Sequence, residues 1–308
     1  MAEDRLTVPT ADGRTLDVLT CGPRDGLPLV FHNGTPGGLV TFSPMTDAAA
    51  ALGLRTVMYA RPGYGRSSPR PGRLIADAAA DVAAVLDHLE AGAFVTAGWS
   101  GGGPHALACA ALMPGRCLAA ASIAGIAPRD GEGLDWLGDM GPENIQEFAA
   151  AVDGEAALTS LLETEAAALR GITGAELARG LGGLLSEADE AAISGDFAEY
   201  LAASFRAALA GGIAGWRDDD LAFVRDWGFA LSGGGEGAGV PITIWQGGQD
   251  RMVPYAHGAW LAGQLPGARA HLLPGEGHLT LAVSAFGLVL ADLLDLAGVR
   301  PAPPRSGA

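Results

Sequence analysis

The sequence predicts an α/β protein: a mostly parallel sheet of eight strands, flanked by helices and interrupted by an all-helical insertion. Three observations carry that expectation. Short apolar runs without alternation, as in strands covered on both faces, take turns with helical patterns up to residue 127 and again from residue 240. Residues 128–239 carry helical patterns alone. At Phe94 to Gly103 an apolar strand runs directly into Gly98-Trp99-Ser100-Gly101-Gly102 and then a helix, which sets a serine on a sharp strand-to-helix turn.

In chain order, Arg5 to Thr10 and Thr15 to Cys21 alternate apolar and polar residues around Ala11-Asp12-Gly13-Arg14 and read as an antiparallel hairpin. Leu27 to His32 is a buried strand that ends in the glycine loop Asn33-Gly34-Thr35-Pro36-Gly37-Gly38. A helix at Met45 to Leu52, a strand at Leu54 to Ala60, a tight loop at Arg61 to Ser68 and a patterned helix at Ile75 to Glu90 follow. Next come the serine strand, a helix at Pro104 to Leu112 and a strand at Cys117 to Ile123. Such alternation implies parallel neighbours joined by right-handed crossovers.

The inserted block reads as helices at Glu143 to Val152, Glu155 to Leu169, Ala175 to Leu185, Glu187 to Ile193, Asp196 to Leu209 and Leu221 to Trp227. Ser186 and Asp189 have the spacing of a capping box, and Asp218-Asp219-Asp220 reads as a solvated helix start. Ser232 to Gly239 has the composition of a hinge. Strands resume at Val240 to Gln246 and Ala270 to Leu273, with helices at Ala256 to Leu265 and Leu279 to Leu296. The expected division is a core in two parts (1–127 and 240–299), a helical cap (128–239) and a flexible tail (300–308).

Composition narrows the functions. The 308 residues, 49% hydrophobic, suffice for one large domain, and no stretch is long and apolar enough to span a bilayer. The start lacks a secretory pattern, so a cytoplasmic protein is expected. A net charge of −16 without a basic cluster argues against nucleic-acid or anionic-membrane partners. The chain has no lysine, which excludes a Walker A loop, a Schiff base and a pyridoxal phosphate site. Cys21, Cys109 and Cys117 have no metal spacing and read as buried thiols; no metal or cofactor is expected.

A serine hydroxyl needs a base, and the base an orienting acid. Of six histidines, His88, His105, His257 and His271 fall in regular elements and His32 beside the glycine loop, whereas His278 stands in a loop after the last strand. His278 is the candidate base. Asp250 leaves its strand through Gly247-Gly248-Gln249 on the same rim and is the candidate acid, with Asp130 the rival. Ser100, Asp250, His278 is a known chain order for such a triad. Gly101 N–H and Thr35 N–H are the expected oxyanion donors. Candidate substrate-lining residues are Trp99, Trp136, Met140, Phe148, Phe197, Tyr200, Phe205 and Trp216.

Gly34-Thr35-Pro36-Gly37, Arg61-Pro62-Gly63-Tyr64-Gly65-Arg66-Ser67, Gly98-Trp99-Ser100-Gly101-Gly102, Gly247-Gly248-Gln249-Asp250 and Gly277-His278 together resemble the α/β-hydrolase superfamily over nearly the whole chain. Two positions depart from its pattern: Asn33 stands where histidine is frequent, and Ala60 where aspartate is frequent, so the loop there must be braced differently. The resemblance implies a serine hydrolase acting on a small-molecule acyl substrate, as monomer or homodimer, with small or medium carboxylic esters favoured. A proline iminopeptidase-like enzyme, with acidic cap residues holding a substrate amine, is the alternative; its elbow would read Gly-Gly-Ser-Trp-Gly. A cofactor-free lyase or a ligand-binding receptor on the same fold is the reading from a different class. Gly101-x-Gly103-x-x-Ala106 suggests dinucleotide binding, but the next strand ends without the acidic residue that ribose would require.

Overall fold

Strands β1 (Glu3–Pro9), β2 (Thr15–Cys21), β3 (Leu27–His32), β4 (Leu54–Tyr59), β5 (Phe94–Trp99), β6 (Cys117–Ile123), β7 (Ile242–Gly247) and β8 (Arg269–Leu273) form one sheet. Its order is β1-β2-β4-β3-β5-β6-β7-β8. The computed structural model describes residues 3–231 and 239–300. The hairpin β1–β2 and its junction with β4 are antiparallel, and every other pairing is parallel. β3 has β4 on one side and β5 on the other, so the chain reverses its direction of travel across the sheet between them. That reversal opens a crevice above the carboxyl ends of β3 and β5, where open α/β sheets bind ligands.

Helices α1 (Ser43–Ala51), α2 (Ala78–His88) and α3 (Gly103–Leu112) connect the first parallel strands. Between β6 and β7 the regular elements of the described residues are all helical: α4 (Pro142–Asp153), α5 (Glu155–Leu169), α6 (Gly174–Gly180), α7 (Glu187–Ala192), α8 (Gly195–Leu209) and α9 (Ala214–Phe223), with a 3₁₀ turn at Gly182–Leu184. After β7 come α10 (Tyr255–Gln264), α11 (His278–Val283) and α12 (Phe286–Leu296). One apolar cluster joins Val82, Val85 and Leu86 of α2 to Val30, Val57 and Phe94 on one face of the sheet. On the other face Leu29, Phe31 and Val95 meet Phe286, Val289 and Leu293 of α12. Both faces are therefore dry, which is why the central strands read as continuous apolar runs.

Three expectations change in detail. The helix expected over Leu279 to Leu296 is two helices, parted at Ser284 and Ala285. The segment Ala175 to Leu185 is α6 followed by the 3₁₀ turn. The helix expected from Leu221 is α9, which begins at Ala214, so Asp218, Asp219 and Asp220 lie in its middle and not at a helix start. A Cβ on Gly215 would sit 2.5 Å from the Tyr64 ring, so this glycine serves close packing inside the helix. All three aspartates are buried, which corrects the solvated reading. The hinge-like run, at residues 232–238, and the tail beyond residue 300 lie outside the described residues.

Candidate active site

Ser100 has a backbone φ of +58°, a left-handed conformation uncommon for a residue with a Cβ. The turn is this tight because its flanks touch backbone. A Cβ on Gly98 would collide with the Gly102 carbonyl, and one on Gly102 would collide with the His32 carbonyl at the end of β3. Small residues two before and two after the serine are thus a steric demand, and they leave Ser100 half-buried at the carboxyl end of β5.

His278 is the first residue of α11. Its Nδ1 lies 2.8 Å from Asp250 Oδ2. Asp250 is fixed from every side: Oδ2 also accepts from Gln246 Nε2 at 3.0 Å, and Oδ1 accepts from the backbone N–H of Met252 and Val253 at 2.9 and 2.8 Å. Burial alone would lower the His278 pKa, but the Asp250 carboxylate outweighs it and raises the imidazole above its ordinary value. The Trp99 ring packs 5.5 Å from the imidazole and its Nε1 donates to the His278 carbonyl at 3.3 Å. No hydrogen bond joins Ser100 Oγ to His278, but both side chains border the same cavity. Asp130, the rival acid, is exposed and does not border it.

Two aspartates from the helical segment hold the loops that carry these groups, and neither was legible as such in sequence. Asp189, in α7, accepts the backbone N–H of His278 at 3.0 Å, of Leu279 at 2.7 Å and of Thr280 at 3.2 Å. Ser186 caps α7 as expected, its Oγ accepting the Asp189 N–H at 3.2 Å and donating to Asp189 Oδ2 at 3.0 Å, while the Asp189 carboxylate caps the helix that begins with His278. Asp219, in α9, is fully buried and accepts from Arg61 Nη2 at 2.5 Å, Arg73 Nη1 at 2.7 Å, Tyr64 Oη at 2.9 Å and Thr35 Oγ1 at 2.9 Å. Burial works against its charge, yet the Arg61 and Arg73 guanidiniums outweigh it and hold the carboxyl below the usual carboxylate range. Arg61 also donates to the Asn33 carbonyl at 2.6 Å and the Gly34 carbonyl at 3.0 Å. The glycine loop is therefore braced by an arginine whose counter-ion comes from the helical segment. That arrangement supplies the bracing that Ala60 cannot.

Thr35 and Gly101 lie against each other: a Cβ on Gly101 would sit 2.9 Å from Thr35 Cβ and 2.8 Å from Phe223 Cζ. The Thr35-Pro36 bond is cis. His32, by contrast, is turned into the core with Cys109 Sγ 3.8 Å from its Nε2, and burial pushes its pKa down to about 3.

The cavity has a volume of about 260 Å³ and lies between the sheet rim and the helical segment. Of the expected lining residues, Trp99, Phe148, Tyr200, Phe205 and Trp216 border it. Trp136, Met140 and Phe197 do not. Trp136 donates to the Ala127 carbonyl at 2.7 Å and packs on Phe148 in a cluster that includes Met140, while Phe197 stacks on Tyr200 and packs at a tilt against Phe42. Trp136 and Phe197 thus pack against residues that do border the cavity, Phe148 and Tyr200. Sequence reasoning missed the acidic residues Glu143, Glu147, Glu165 and Asp220 in the lining; only the Asp218-Asp219-Asp220 run hinted at them.

A parallel sheet with a serine on its strand-to-helix turn, above the point where strand order reverses, defines a class of α/β enzymes. The chain belongs to the α/β-hydrolase fold family, whose sequence model matches residues 28–285. It is 37% identical over 124 residues to a non-heme chloroperoxidase of Streptomyces lividans, a match spanning 40% of this chain and 45% of that protein. The fold is also similar to a hydrolase from Pseudomonas aeruginosa PA01 (TM-score 0.67, 21% identity, 94% of this chain and 98% of that one). An esterase from Rhodococcus sp. ECU1013 superposes with a TM-score of 0.64 at 20% identity, over 96% and 99% of the two chains. Among the described residues no helix is long and apolar enough to cross a membrane.

Proposed function

We propose that the protein is a serine hydrolase that cleaves a carboxylic ester or related acyl bond of a small or medium substrate through an acyl-enzyme. The observation that carries this reading is the buried His278–Asp250 contact of 2.8 Å on the wall of the cavity that the Ser100 elbow also borders. Asp250 holds the imidazole with Nδ1 protonated, leaving Nε2 free to take the Ser100 proton. The serine oxygen attacks the acyl carbonyl, and the resulting oxyanion is met by the Gly101 and Thr35 N–H groups. His278 returns the proton to the leaving alcohol; water then enters, is deprotonated by the same nitrogen, and releases the acid. Residues 128–239 act as a cap over the two core parts, 1–127 and 240–299, and enclose the substrate. The esterase and hydrolase neighbours fit this chemistry, and the acyl group is left to assay.

A fluorophosphonate probe tests the reading. It is expected to form one adduct, on Ser100, and Ser100→Ala is expected to lose both the adduct and p-nitrophenyl ester hydrolysis by at least about 10⁴-fold. A folded wild-type protein that takes up no probe would overturn the assignment.

A further inference from the structure

The cavity wall carries a charge pattern that ester hydrolysis does not require. Glu143, Glu147, Glu165 and Asp220 border it, and no arginine or lysine does. Glu147 projects from α4 and Asp220 from α9, and the two carboxyls are near enough to act on each other electrostatically. Glu147 Oε1 accepts from Trp216 Nε1 at 2.8 Å. Neither oxygen of Asp220 has a hydrogen-bond partner among the described residues, although the side chain is 1% exposed.

The neighbouring acids are matched and this pair is not. Asp218 lies 2.8 Å from Arg217 Nη2, and Asp219 is held by Arg61 and Arg73. Arg73, the cation nearest in influence to Asp220, is committed to Asp219 and to the Gly215 carbonyl. Glu165 faces Glu147 and adds negative potential. Two neighbouring carboxylates without a counter-ion, one of them buried, resist being ionised together. Burial raises both groups, so each holds a proton more readily than a free carboxyl does. Buried charge of one sign with acceptor oxygens aimed at a cavity suits a ligand that brings the opposite sign.

We propose that Glu147 and Asp220 form a subsite for a protonated amine, so that the substrates of this hydrolase are acyl compounds carrying an ammonium group. The proposal rests on the serine-hydrolase reading for the reaction but not for the binding. As the ammonium enters, its N–H groups donate to both carboxylates, any proton the pair carries leaves to solvent, and the remaining charges are two carboxylates and one ammonium. Phe148, Tyr200 and Phe205 supply apolar wall for the carbon chain. A substrate bearing a free carboxylate meets only repulsion there.

The test compares p-nitrophenyl 6-aminohexanoate with p-nitrophenyl heptanoate, in which a methyl group replaces the ammonium, on the full chain. The ratio of their kcat/KM values is expected to favour the ammonium ester by about tenfold or more, and to collapse toward one in Glu147→Gln and Asp220→Asn. Independently of turnover, calorimetry of Ser100→Ala is expected to show binding of hexylammonium chloride with release of up to one proton, read from the dependence of the heat on the buffer's ionisation, and weaker binding of 1-hexanol. A wild-type ratio near one, or hexanol binding as tightly as hexylammonium, overturns the subsite. Should the variants not fold, the wild-type ratio and the calorimetry still decide. Probe labelling of Ser100 with a ratio of one leaves the hydrolase and removes the subsite; hexylammonium binding without labelling does the reverse.

Discussion

Asp250 touches four donors: the His278 imidazole, the Gln246 amide and two backbone N–H groups. A carboxylate so fixed can only present its charge in one direction, toward Nδ1, and its field lifts the imidazole against the effect of burial. The consequence is an acid limb in the pH profile. His278 works as a base only when neutral, so kcat/KM is expected to fall as pH drops through an apparent pKa above 6.5, the ordinary histidine value. Asp250→Asn removes the charge and can present an amide hydrogen to Nδ1, favouring the wrong tautomer. Its expected result is a kcat lower by about 10³–10⁴-fold, with the acid limb moved to lower pH. A pH series from 5 to 9 with one p-nitrophenyl ester checks both, and an unmoved limb would separate Asp250 from the base.

Among the elements, α11 is short and depends on its first turn. It has six residues, its N-cap is Gly277, and its orphan N–H groups go to Asp189 of α7. Asp189→Ala is expected to cost about 0.5–2 kcal/mol of stability in chemical denaturation. It should also lower the rate of probe labelling at Ser100, and the His278 limb should shift to lower pH because Asp189 contributes to raising that group. A stability loss with labelling and limb both unchanged would make Asp189 a cap and nothing more. The same helices show what one dimension of sequence can carry. β3, β5 and β7 are buried on both faces, so their apolar runs are visible residue by residue, and the loops after β5, β7 and β8 deliver Ser100, Asp250 and His278 by glycine spacing alone. α9 is misplaced by the sequence pattern because three successive aspartates resemble a helix start, whereas Arg61 and Arg73 pair with Asp219 and let the run lie inside a helix. The ties from Asp189 and Asp219, and the meeting of Glu147 with Asp220, join positions tens of residues apart or more. No local period encodes them.

At the scale of the whole molecule, 35 acidic side chains face 19 basic ones and the net charge is −16. This excess acts against the folded state by self-repulsion, while the ties that hold the helical segment on the core work in the opposite direction. The two respond differently to salt. Repulsion among exposed carboxylates spans distances that fall within the ~30 Å screening length at 0.01 M salt and exceed it once the length drops below ~10 Å above 0.1 M. The Arg61–Asp219 and Arg73–Asp219 pairs are no more than 4% exposed and are screened far less. Raising sodium chloride from 0.01 to 0.3 M is therefore expected to raise the thermal midpoint by about 2–4 °C, corresponding to ~1 kcal/mol in a domain of this size. Probe labelling at Ser100, carried out well below the midpoint, is expected to keep its rate, because the groups that hold its loops are among the buried ones. A midpoint that falls with salt would mean that partly exposed pairs such as Arg14–Asp81 and Arg116–Asp87 contribute more than the excess charge costs. The sign of that one shift thus decides whether the surface of this protein opposes its fold or helps to hold it.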